Sequence, residues 1–152
     1  MRRIALCLAL ILVPGTAFAA GWVAEMQEDE GGPVMTAYVI GAADGAIAPE
    51  LRMTCSSDGV ALRYLMTGDA GSPGSEADFL FENESTQATL HMAYEGMDGA
   101  FAAYFPKTDP VITLLETGSD VFVSESTGNY PAQSFPLQGS SKAIDKLLRS
   151  CQ

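Results

Sequence analysis

Residues 51–68 read LRMTCSSDGVALRYLMTG, two alternating runs on either side of a turn. In the first run Leu51, Met53 and Cys55 fall at every second position. In the second, Val60, Leu62, Tyr64 and Met66 share one face, and Ala61, Arg63 and Leu65 share the other. A period of two is the spacing at which a strand presents one face. Asp58-Gly59 supplies turn chemistry between the runs, so the stretch is predicted to be a β-hairpin with one apolar face.

The same period recurs outward from this hairpin. Ala88, Leu90, Met92 and Tyr94 line one face of a run whose other face carries Thr89, His91 and Ala93. Phe101, Ala103 and Phe105 repeat the pattern, as do Val121 and Val123. Trp22–Gln27, Val34–Gly41, Leu51–Ser56, Ala77–Glu82 and Gln133–Leu137 are further strands by the same reading. Glu30-Gly31-Gly32-Pro33, Asp44-Gly45, Asp98-Gly99 and Gly128-Asn129-Tyr130-Pro131 mark turns, and Gly68–Ser75 reads as a loop.

Eight or nine short strands at this spacing predict a mainly β fold, an antiparallel β-sandwich or partly open barrel. Two helices accompany it. Asp109 as N-cap and Pro110 at the first helical position open a short one that ends at Gly118. A C-terminal helix, capped by Ser140 or Ser141, carries Ile144, Leu147, Leu148 and Cys151 on one stripe and is expected to pack on the sheet.

The first 19 residues have a different character. Arg2 and Arg3 precede an apolar run from Ile4 to Val13, followed by Pro14-Gly15 and the small–x–small site Ala17-Phe18-Ala19. Ten apolar residues, about 15 Å as a helix, fall short of a hydrocarbon core of about 30 Å. Residues 1–19 are therefore read as a cleaved signal peptide and 20–152 as a single β-rich domain, long enough for one core. Cys7 lies inside the apolar run, where it does not suit lipidation. Export leaves Cys55 and Cys151 as an even pair in an oxidising compartment, which is the setting of a disulfide. Cys151 on the helix stripe and Cys55 on the alternating strand face would pin the helix to the sheet.

After cleavage, six basic residues stand against 19 acidic ones, a net charge of −13. Such a chain repels phosphate backbones and anionic lipid, so neither nucleic acid nor a membrane surface is the expected partner. His91, the only histidine, falls on the polar strand face and has no G-x-S-x-G motif to work with; it is read as a solvated strand residue. Glu25, Glu28, Asp29 and Glu30 lack the spaced pattern of a calcium loop and are read as a solvated turn. No nucleotide motif, zinc set or spaced carboxylate pair stands out, so no catalytic, metal or cofactor residue is assigned. Asn83-Glu84-Ser85 fits the N-glycosylation pattern, and Trp22 is read as an aromatic plug at the sheet edge.

The run Phe135-Pro136-Leu137-Gln138-Gly139, a helix with Ala143-Ile144 and Leu147-Leu148, and the final Cys151 form an F-x-L-x-G, helix, cysteine pattern. With Leu51–Cys55, Val111–Gly118 followed by Asp120–Val123, and Trp22, it resembles the periplasmic TagO/VasI family associated with type VI secretion. It is also similar to other exported proteins of diderm bacteria. Thr54 stands where that family commonly has a second strand arginine, and the acidic start is longer. The resemblance implies the β-rich fold and, together with the small size and absent motifs, a noncatalytic periplasmic accessory or binding protein; the charge of −13 implies that its envelope partner presents a basic surface. A periplasmic carrier of a small ligand is the alternative, and a hydrolase the third. Intact-mass measurement of the exported protein is expected to show a chain starting at Ala20 without lipid; a mass that retains residues 1–19 contradicts the export reading.

Overall fold

The structure is a computed structural model that describes residues 21–43, 47–67 and 71–151. The signal peptide, the start at Ala20, the Asp44-Gly45 turn and part of the Gly68–Ser75 loop lie outside the described residues. The chain forms β1 (Val23–Asp29), β2 (Gly32–Ile40), β3 (Glu50–Ser56), β4 (Gly59–Leu65), β5 (Glu76–Glu82), β6 (Gln87–Glu95), β7 (Ala100–Phe105), α1 (Pro110–Glu116), β8 (Asp120–Glu125), β9 (Gln133–Pro136) and α2 (Ser140–Ser150). Among the described residues no helix is long and apolar enough to cross a membrane.

All nine strands belong to one antiparallel sheet in the order β1-β2-β3-β4-β7-β6-β5-β8-β9. The sheet curls without closing. Its edge strands approach each other where the Trp22 N–H donates to the Gln138 carbonyl at 2.8 Å, as in a partly open barrel. Strand alternation sends Leu51 and Met53, Val60, Leu62 and Tyr64, Phe79 and Phe81, Phe101 and Phe105, and Val121 and Val123 to the inside. Tyr64 meets Phe79 edge-on at 5.5 Å and Phe135 at 5.9 Å, the offset geometry that aromatic quadrupoles favour.

The two helices fill the inside of the curl. Asp109 Oδ1 accepts from the Val111 N–H at 3.0 Å, with Pro110 at the first turn, as the local pattern predicts. Val111, Ile112, Leu114 and Leu115 of α1 are buried. α2 packs against β1, β2, β3 and α1 through Ala143, Ile144 and Leu147. Cys55 and Cys151 are bonded, with Cα atoms 5.3 Å apart, and Trp22 is a buried plug at 6% exposure.

Three local expectations are corrected. The N-cap of α2 is Gly139, in the left-handed region (φ 80°) and without a side-chain cap; Ser140 is turned inward and buried, its N–H on the Leu137 carbonyl. The β3–β4 turn is Ser57-Asp58, because Gly59 already pairs with Ser56. A Cβ at Gly59 would stand 2.3 Å from the Phe105 carbonyl oxygen of the neighbouring strand, so glycine serves close approach there as well as the turn. Finally, Glu25, Glu28 and Asp29 lie in β1, and only Glu30 of that cluster is in the turn.

Two outcomes check this packing. Leu147→Asp, which places a charge on the buried stripe, is expected to cost at least about 3 kcal/mol in denaturant unfolding. Alkylation of the unreduced, unfolded mature protein is expected to label neither Cys55 nor Cys151. A loss within about 0.5 kcal/mol contradicts the docking, and two labelled thiols contradict the bridge.

Candidate functional site

The outward face of the sheet carries the chemistry that the inward face excludes. Register sets Thr36 opposite Thr54, Tyr38 opposite Arg52, and Arg52 opposite Arg63. Two like charges directly across a strand pair repel each other, and each arginine is held by acids. The Arg52 Nε–H donates to Glu50 at 2.7 Å. Arg63 is bound more fully: Nε to Glu95 at 2.8 Å and to Asp98 at 3.1 Å, Nη1 to Thr54 at 3.0 Å, and Nη2 to the Tyr104 hydroxyl at 3.3 Å. The Tyr104 O–H in turn donates to Glu95. Burial opposes charge on both partners, but the ion pair and its hydrogen bonds outweigh it. The Arg63 pKa is raised, and the Glu95 carboxyl is held below its usual range.

Of these residues, Thr36, Arg52, Thr54 and Arg63 form the floor of an open cleft of about 310 Å³, at the small end of the roughly 300–1,000 Å³ of ligand sites. Glu28, Asp29 and Glu30 of the β1–β2 hairpin stand on one side, and Met97 and Asp98 of the β6–β7 turn on the other. Met97 is 86% exposed. The hairpin carboxylates have no basic partner among the described ion pairs, so the cleft as a whole is negative. Of the six basic residues after residue 19, Arg52, Arg63 and Arg149 are held by carboxylates, and Lys107 and Lys146 donate to the carbonyls of Cys151 and Ala24.

A second cleft, about 370 Å³, contains His91. Asp78 lies directly across from it in β5, with its Oδ1 2.8 Å from Nδ1; Glu76, on the same face, approaches Nε2 at 3.3 Å. Both ring nitrogens thus face carboxylates, which is the geometry of an ion pair; an activated serine would need one of those nitrogens. The imidazole is 64% exposed, in keeping with a solvated strand histidine. Its pKa is raised by its hydrogen bonds to Asp78 and then to Glu76. Glu125, nearby and buried, is held below the usual range despite its burial by the N–H groups of Thr127 and Asn129 and the hydroxyls of Thr127 and Ser126. It ties down the start of the β8–β9 connection.

The four acidic residues from 25 to 30 are not gathered into a cage. Glu25 accepts from the Tyr38 hydroxyl at 2.8 Å, and among the described residues no three of His, Cys, Asp and Glu converge as metal ligands. Asn83, of the glycosylation pattern, has a structural role, since its Nδ2 donates to the carbonyls of Leu114 and Thr117 and satisfies the end of α1. No local pattern in the chain marks the Arg63–Glu95–Tyr104 network. Alternation places Arg63 on the outward face, but its acid lies 32 residues away.

No protein-family model, no curated protein and no solved structure matches this chain.

NMR titration of His91 is expected to give a midpoint above the ordinary value of about 6.5, lowered by Asp78→Asn. Because the folded value is raised, the stabilisation this group adds is present below its ordinary pKa. It is lost as pH rises through the folded value. A midpoint at or below 6.5 contradicts the pairing.

Proposed function

We propose that this chain is a noncatalytic accessory protein of the bacterial envelope, exported by its N-terminal signal, that acts by binding a partner with a basic surface. The observation that carries this reading is the distribution of charge. Five of the six basic residues after residue 19 are engaged within the fold, while Glu28, Asp29 and Glu30 line the cleft without an ion-pair partner among the described residues. A negative cleft beside a net charge of −13 after residue 19 steers cationic groups toward itself and turns away phosphate and anionic lipid. The sequence pattern from Phe135 to Cys151 directs the search for that partner to type VI secretion.

His91 supports the noncatalytic reading, since it stands exposed between two carboxylates. Both clefts are open to the surface, which favours a surface contact over the enclosed pocket of a carrier.

Cross-linking in the native periplasm followed by mass spectrometry is expected to recover an envelope protein with a basic surface. Its association rate should fall as salt shortens the screening length to about 8 Å at physiological ionic strength. A deletion strain tests the link to secretion. Recovery of no envelope partner, together with turnover by the purified protein, rejects the proposal in favour of an enzyme; a small molecule co-purifying at one per chain rejects it in favour of a carrier.

A further inference from the structure

We propose that the partner supplies an extended, lysine- or arginine-rich segment that pairs as an added strand with the free edge of β1 from Met26 to Asp29. This rests on the binding function proposed above and locates where that binding occurs.

β1 is an edge strand, and its first residues show which main-chain groups point away from β2. The Trp22 N–H is taken by Gln138, and the Ala24 carbonyl by the Lys146 ammonium at 2.8 Å. Strand alternation then turns the N–H and C=O groups of Met26 and Glu28 outward as well. The register agrees on the far side of β2: Gly41, two residues beyond Val39, donates toward β3, so odd-numbered residues of β2 face β3 and even-numbered ones face β1. Pro33, which has no N–H, falls on the β3-facing side before the β2–β3 ladder begins at Thr36. Beyond Ala24 the outward groups of β1 have no main-chain partner among the described residues.

The two edges of the sheet are treated differently. β9 is four residues long, ends in Pro136 and follows Pro131, devices that blunt an edge against pairing. β1 is seven residues long, carries no proline and leaves Met26 55% exposed. Among the described residues only its start is covered. An edge with unpaired amides and an exposed apolar residue is a template for another strand.

The charges on the edge decide which strand. Glu25, Glu28 and Asp29 lie in β1 and Glu30 follows it. A second copy of this chain would bring the same carboxylates alongside and is repelled. Side chains on an added strand stand about 4.5–5.5 Å from those of β1. A lysine or arginine there reaches these acids, and one on the outward face lies beside the cleft that Glu28, Asp29 and Glu30 line.

The probe is a nine-residue peptide of alternating lysine and threonine, blocked at both ends, mixed with the folded mature protein. It is expected to bind, to slow amide exchange at Met26 and Glu28, and to weaken as salt rises. The same peptide N-methylated at alternate backbone nitrogens should bind about tenfold more weakly, because it cannot complete the ladder. Met26→Pro, which removes an outward N–H and leaves the β1–β2 ladder intact, should weaken the unmethylated peptide similarly. If that variant does not fold, the methylated peptide decides. Equal affinity for the two peptides overturns strand pairing while leaving a charge-driven basic partner in place. No binding up to about 1 mM overturns the edge site, and the envelope cross-linking then judges the accessory function separately.

Discussion

The apolar stripe of α2 lying against the inward face of the curled sheet is the contact on which the other features depend. Period-two strands from β2 to β9 turn large side chains to one side, and that side must be covered. α1 and α2 cover it, with Ile144 and Leu147 fully buried, each contributing about 1.5–3 kcal/mol on burial. The disulfide fixes the end of this stripe to the end of β3. It encloses a loop of 96 residues in sequence separation, for which the chain-entropy model gives up to about 4.7 kcal/mol. Lys107 and Lys146 add polar ties at the two flanks of α2, to the Cys151 and Ala24 carbonyls.

The outer face follows from the same alternation. Once Leu51, Met53, Leu62 and Tyr64 point inward, Arg52, Thr54, Ala61 and Arg63 must point outward, and the hairpin register sets the two arginines opposite each other. Their repulsion is answered by acids from β3, β6 and the β6–β7 turn, which engages carboxylates that would otherwise face solvent. The hairpin acids at 28–30 are left over. A protein with 19 acidic residues and few cations thus concentrates unpaired negative charge at one end of one strand, next to the part of the sheet edge that nothing among the described residues covers.

Curling without closure makes that edge available. A closed barrel would have consumed the outward groups of β1 in pairing with β9. Here the two edges meet at Trp22 and Gln138 and then part, since β9 ends at Pro136 and α2 begins within four residues. The start of β1 is sealed by Gln138, just past β9, and by α2, and the rest extends past them. The covered part of β1 and the part proposed to bind a partner are thereby one element, divided near Ala24.

Much of this was legible in local residue patterns. Period-two runs marked all nine strands, Asp109-Pro110 marked the start of α1, and the stripe from Ile144 to Cys151 together with the alternation ending at Cys55 anticipated the bridge. Each is a short-range signal, decided by pleat, helix pitch or capping within a few residues. The turn at Ser57-Asp58 and the cap at Gly139 depart from their sequence signals at glycines: Gly59 meets the Phe105 carbonyl too closely for a side chain, and Gly139 holds a left-handed backbone against Trp22. The placement of β4 beside β7, the joining of Arg63 to Glu95 across 32 residues, and the carboxylates around His91 were decided only by the tertiary structure. Pairing order depends on which apolar faces bury best together, and no periodicity in the chain encodes that choice.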